Sequence, residues 1–202
     1  MPEAYRAFVA LTLPEALREY LHGVQRCLSD NGVRARWMRP ASMHLTLKFL
    51  GQLPLNQVAA VIAALDRVAD DCPPLQLTAD ELGGFPHRNR PRVLWMGIGG
   101  EHERLCGLQE AIEAALAALG WSPEKRPFRG HLTLARAKGQ RPLDRMVGDI
   151  LTRCTPREAL AFQADRLVLF RSLLQPGGSV HDKLKEWILS APAPDLTVAG
   201  IS

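Results

Sequence analysis

One pattern is written twice in this chain: Arg-Pro, three residues, then His-Leu-Thr-Leu. It reads "RPASMHLTL" at 39–47 and "RPFRGHLTL" at 126–134. A tetrapeptide can recur by chance, but a shared dipeptide at the same offset makes chance a poor account. The repeat predicts two related halves that each present one copy of a single device. If each copy is a strand, alternate side chains point to opposite faces. His44 and Thr46 then share one face, with Leu45 and Leu47 on the other. His131 and Thr133 likewise oppose Leu132 and Leu134. The leucines can pack on helices, and a pseudo-two-fold relation would bring the polar faces together across a cleft.

The rest of the chain fits that frame. "YRAFVAL" (5–11) reads as a strand, and Pro14 opens a helix with Leu17, Leu21, Val24 and Leu28 on one face, ended by Gly32. A second helix is expected over 55–71, strands over 75–82 and 92–98, and a clear helix over 101–120. A short helix is expected from near Pro142, and one or two strands over 159–172. "HDKLKEWIL" suits either type, and "LTVAGIS" reads as a frayed tail. No linker splits residues 1–202, so a single bilobal domain is expected. The irregular order, with no glycine-rich phosphate loop after the first strand, argues against a doubly wound sheet. It favours an α/β (α+β) fold with helices packed outside antiparallel sheets.

Composition narrows the setting. The 202 residues are 47% hydrophobic and 23% charged, as in globular proteins. No apolar run approaches the roughly eighteen residues of a membrane span. No basic segment precedes an apolar one at the N-terminus, so no signal peptide is expected. Cys27, Cys72, Cys106 and Cys154 stand far apart without a C-x-x-C. Neither a disulfide framework nor a zinc site is therefore expected, and a reducing cytoplasm is the expected location. The formal charge of +4 leans toward anionic partners.

Two His-x-Thr pairs around one small volume suit phosphoryl chemistry. An imidazole titrates near neutrality, so one can accept a proton from water while the other donates one to a leaving oxygen. Threonine hydroxyls can hold the non-bridging oxygens where charge develops. His-x-Thr is a poor metal set, and no Asp, Glu or Cys stands at ligand spacing, so neither metal nor cofactor is expected.

These residues resemble the signature of the 2H phosphoesterase superfamily, and within it the RNA 2′,3′-cyclic phosphodiesterases, also called 2′-5′ RNA ligases. The resemblance extends through "RAFVALTLPEALREYL", "RWMRPASMHLTLKFLGQL", "LGGFPHRNRPRVLWMGI", "RPFRGHLTLARAK" and "SLLQPGGSVHDKLKEW". It implies a bilobal fold of two pseudo-symmetric lobes whose antiparallel sheets line a central cleft. It implies hydrolysis of RNA 2′,3′-cyclic phosphate ends to a 2′-phosphomonoester. By the same resemblance His44 is the proton donor, His131 the proton acceptor, and Thr46, Thr133 and Arg136 bind phosphate. Phe49 stacks on the terminal base. Two departures stand out: Gly130 where the family often has proline, and His181 where many relatives have tyrosine.

Some positions stay open on sequence alone. Phe49 and Arg136 each lie five residues after their histidine, on the wrong parity for a flat strand, so either a bulge or twist re-aims them or they act from the strand end. Otherwise Phe49 is a core aromatic and Arg136 a solvated charge. Lys48 shares the parity of His44 and is the best further candidate to guide the RNA backbone, ahead of Arg129. Arg39 and Arg126 either do the same or fix the loop entering each strand. His22, His87 and His102 read as structural or solvated. The expected partners are cyclic-phosphate RNA ends or small cyclic nucleotides, bound by a monomer without a membrane. The alternatives are 2′-5′ RNA ligation as the physiological direction, and a non-catalytic RNA-end binding module.

Overall fold

A computed structural model describes residues 3–139, 141–144, 146–175 and 178–190. Among these the elements run β1 (Ala4–Leu11), α1 (Glu15–Asp30), β2 (Arg36–Trp37), β3 (Leu45–Pro54), α2 (Val58–Asp70), β4 (Leu75–Phe85) and β5 (Val93–Gly100). They continue with α3 (His102–Ala117), β6 (His131–Arg136), α4 (Val147–Cys154), β7 (Leu160–Ala164), β8 (Arg166–Gln175) and β9 (Gly178–Ile188). The ambiguous C-terminal segment is thus a strand, and β2 is a strand too short for its sequence to announce. The "LTVAGIS" tail lies outside the described residues.

The strands form one curled antiparallel sheet in the order β7-β4-β5-β6-β3-β1-β8-β9. The two expected lobes are its halves, joined where Leu45 of β3 lies opposite Leu132 of β6. Beyond that pair the strands part. The edge of β6 is taken instead by β2, with Arg36 opposite Arg136 and Trp37 opposite Ala135. The halves are built alike. Each has a strand, a helix and a returning strand that carries the motif: β1–α1–β3 and β5–α3–β6. Each then borrows its next strand from the other, since β4 pairs with β5 and β8 pairs with β1.

The helices cover the outer face. The α1 stripe Leu17, Leu21, Val24 and Leu28 is buried, and it packs in one core with Leu45, Leu47, Leu132 and Leu134. The cleft face has a smaller apolar cluster: Phe8, Ala10, Val168 and Phe170. Strand β1 is buried on both faces, which explains its unbroken run from Ala7 to Leu11.

The cysteine expectation fails at one pair. Cys27 on α1 and Cys154 on α4 are joined by a disulfide, while Cys72 and Cys106 are free. The two helices pack together and so bring distant positions into reach, which spacing along the chain does not reveal.

Candidate active site

The bulge demanded by parity is present, and it is present twice. In the β1–β3 ladder, Val9 faces Lys48 and Ala10 faces Thr46, so Leu47 is an extra residue. In the β5–β6 ladder, Leu94 faces Ala135 and Trp95 faces Thr133, so Leu134 is an extra residue. Both extras stand three residues after their histidine. A bulge resets which face the following side chains take. Phe49 therefore turns to the histidine face, 66% exposed, with its ring 6.0 Å from that of Phe8. It is not a core aromatic. Arg136 is likewise exposed at the end of β6. A further irregularity passes over Leu50, where Gly51 takes a φ of +67° that disfavours a side chain.

The same reset overturns the reading of Lys48. Its side chain points to the helices, is 6% exposed, and pairs with Glu113 of α3 at 2.5 Å. It also donates to the Ser122 carbonyl at 2.7 Å. It ties α3 to β3 and is not available to RNA.

Each histidine is held in the same way. The ring Nδ1 of His44 bonds the Ser42 carbonyl at 2.9 Å, and that of His131 bonds the Arg129 carbonyl at 2.7 Å. A carbonyl only accepts, so both rings carry their proton on Nδ1 and keep Nε2 free for chemistry. Ser42 is placed by a 3-10 turn over Pro40–Ser42, closed by the Ser42 amide donating to the Arg39 carbonyl at 2.8 Å. The Arg39-Pro40 pair thus does shape the strand entry. No such turn forms at Arg126-Pro127. There Gly130 sits where a Cβ would come within 3.1 Å of Leu105, so the entry is fitted to α3.

Aromatic rings frame both imidazoles. His44 stacks on Phe8 at 4.7 Å and meets His181 edge-on at 5.2 Å. His131 meets Phe85 edge-on at 5.1 Å, with Trp95 at 6.4 Å. Trp95 needs Gly83 beneath it, where any Cβ would come within 2.1 Å of the indole. Burial therefore dominates the titration of both histidines. His44 is pushed down to about 4, first by burial and then by the charges of His181 and Arg136. His131 is lowered in the same direction, by burial and by Arg136. One guanidinium thus acts on both rings.

The register supplies the remaining geometry. Leu45 and Leu132 form the one paired position between the motif strands, so His44 and Thr46 flank it on β3 and His131 and Thr133 flank it on β6. Neither threonine hydroxyl has a hydrogen-bond partner among the described residues, so both can donate to a ligand. Arg36 and Arg136 lie side by side without a carboxylate partner among the described residues, and burial, then the charge of Arg36, hold the Arg136 pKa below its usual value. Arg36 is a functional candidate that the sequence reading missed, because β2 was not visible. His181 is another. It comes from β9, and its Nδ1 is buried without a partner. No group of three or more His, Cys, Asp or Glu side chains converges as a metal set among the described residues. No described helix is long and apolar enough to cross a membrane.

The pattern of the family described as "LigT like Phosphoesterase" matches residues 11–95 and again 99–181, one His-x-Thr motif in each stretch. The chain belongs to the LigT-like phosphoesterase family. It is 31% identical to an RNA 2′,3′-cyclic phosphodiesterase of Aeropyrum pernix over 79% of this chain and 89% of that one. Its fold is similar to that of a Thermus thermophilus protein, with a TM-score of 0.75, 28% identity, and 93% and 100% of the two chains covered. It is similar to E. coli LigT complexed with 3′-AMP, with a TM-score of 0.72, 26% identity, and 93% and 99% covered.

Proposed function

We propose that this chain hydrolyses RNA 2′,3′-cyclic phosphate ends to 2′-phosphomonoesters, with two histidines as acid and base and no metal ion. The meeting of the two motifs at Leu45 and Leu132 supports this reading, because both histidines and both threonines flank that one paired position. A phosphate held there meets both imidazoles and both hydroxyl donors. His131 Nε2 takes a proton from water as its oxygen attacks phosphorus. The P–O3′ bond breaks, His44 delivers a proton to O3′, and the O2′ ester remains. Thr46 and Thr133 donate to the non-bridging oxygens, Arg136 offsets their charge, and Phe49 offers a face to the terminal base. The relatives named RNA 2′,3′-cyclic phosphodiesterase support the same activity.

The free site favours a neutral His44 at pH 7, whereas the acid role needs a proton there. The phosphate anion supplies the compensating charge, so proton uptake accompanies substrate binding. We read residues 1–202 as one domain, acting as a monomer on RNA ends or small cyclic nucleotides.

The test is incubation with a nucleoside 2′,3′-cyclic phosphate and a cyclic-phosphate-ended oligonucleotide, with and without EDTA. A 2′-phosphate is expected at a rate EDTA does not change. His44→Ala or His131→Ala should lower kcat about 10²- to 10⁴-fold. Full activity in either variant, or a 3′-phosphate product, overturns the mechanism.

A further inference from the structure

The cleft does not end at the two motifs. Beside His44 it continues into a cavity of about 770 Å³, between the β1–α1 turn, the Arg39–Met43 segment and strands β8 and β9. That volume is enough for a nucleotide-sized group. Four cations line it, Arg18, Arg39, Arg166 and Lys183, against two carboxylates, Asp165 and Glu186. The carboxylates are already engaged. Glu186 is shared by Arg166 at 2.9 Å and by Lys183, and Asp165 lies 3.8 Å from Arg166. Arg18 reaches Glu15 through Nη1 at 3.0 Å, but its Nε is buried without a partner. Arg39 has no carboxylate partner among the described residues. The lining thus carries an excess of positive charge that the protein itself does not neutralise.

The position of this cavity fixes what can enter it. A strand that ends in a 2′,3′-cyclic phosphate continues only through its 5′ side. If His44 protonates the departing O3′, the terminal ribose lies on the His44 side, and the strand leaves past it. His44 lines the cavity and His131 does not. We propose that this cavity is a second anion subsite that takes the phosphate on the 5′ side of the terminal nucleoside, with Arg39 as its principal ligand. The proposal rests on the acid role given to His44 above. It makes the site a reader of the strand and not only of its end. The shared chemistry is a 5′-phosphate, from an internal phosphodiester or from a 5′-phosphorylated mononucleotide.

Four substrates test it: a nucleoside 2′,3′-cyclic phosphate, the same with a 5′-phosphate, a cyclic-phosphate-ended dinucleotide, and that dinucleotide with a neutral methylphosphonate linkage. The native dinucleotide should exceed the methylphosphonate one about tenfold or more in kcat/KM, as expected for hydrogen bonds to a charged group. Arg39→Ala should reduce that ratio below about threefold. It should also flatten the salt dependence of dinucleotide binding by about 0.7 in log K against log salt, the slope for one single-strand phosphate. The 5′-phosphorylated mononucleotide tells whether an isolated phosphate suffices. A wild-type ratio near one overturns the subsite. An Arg39→Ala loss equal for charged and neutral linkages overturns it as well, since Arg39 would then act at the scissile phosphate. Equilibrium binding of the two dinucleotide 2′-phosphate products gives the same ratio without turnover. Absence of hydrolysis would thus count against the proposed reaction, while the binding ratio still decides the subsite.

Discussion

Replacing His44 with Gln should flatten the acid side of the stability curve. In the folded protein this ring is pushed down to about 4 from an ordinary 6.5. Between those values the unfolded chain binds a proton at position 44 that the folded chain refuses. Stability is therefore fully present above pH 6.5 and is lost as pH falls toward 4. The linkage integral makes this one group responsible for about 2 kcal/mol of lost stability between pH 7 and pH 4.5. Titrating groups away from His44 are common to both proteins and cancel in the difference, so the comparison is made in a His181→Gln background, which removes the one imidazole that faces the ring. The assay is urea unfolding of that background with and without His44→Gln at intervals from pH 7 to 4.5, with free energies from linear extrapolation. The two curves should converge by about 2 kcal/mol as pH falls. Parallel curves would show that Phe8 and Phe170 do not desolvate this ring, and the account of a neutral free-site His44 would go with them.

Lys48→Met should cost about 3 kcal/mol in urea unfolding, because it leaves the largely enclosed Glu113 carboxylate with Gln109 but no cation, while kcat/KM on a cyclic phosphate stays within about twofold. A fall in kcat/KM beyond tenfold without loss of stability would return Lys48 to the cleft. Both imidazoles titrate below 6.5 in the free site, so kcat/KM should fall as pH rises past 6.5, whereas kcat, measured with the phosphate bound, should hold to higher pH. Superimposed profiles would refute proton uptake on binding. Phe49→Ala should raise KM about tenfold through lost base stacking. Because Phe49 is 66% exposed, its stability change should stay within about 0.5 kcal/mol. Thiol titration of the unreduced, denatured protein should count two cysteines, Cys72 and Cys106; four would contradict the Cys27–Cys154 pair.

The sequence made the two motifs legible because their signal is local and doubled. His44, Thr46, His131 and Thr133 follow from alternation alone, and their burial matches it. Alternation also flagged its own failure at Phe49 and Arg136, and the bulges at Leu47 and Leu134 answer it. The same alternation misled at Lys48, which stands one residue past the bulge and so takes the opposite face from the one counted. His181 stood out in the sequence, but nothing local said where it would sit. It reaches His44 only because β9 pairs with β8, β8 with β1, and β1 carries Phe8 beneath the ring. Arg36 and the Cys27–Cys154 pair are similar cases. Each depends on which elements become neighbours, and a two-residue strand or a helix–helix contact leaves little trace in a single sequence.

The borrowed strands impose an order on synthesis. As the chain leaves the ribosome, β4 to β7 complete the half that carries His131 before β8 has emerged. Strand β1, made first, has β3 on one side and must wait for Arg166–Gln175 to close the other. Until then Phe8 has no Phe170 against it, and His44 has no His181. Pairing across so much of the chain is slow to form. The nascent protein thus holds its His131 half early and its His44 half late. A chain truncated before β8 should be caught half-equipped, folded around His131 and exposing an open edge at β1.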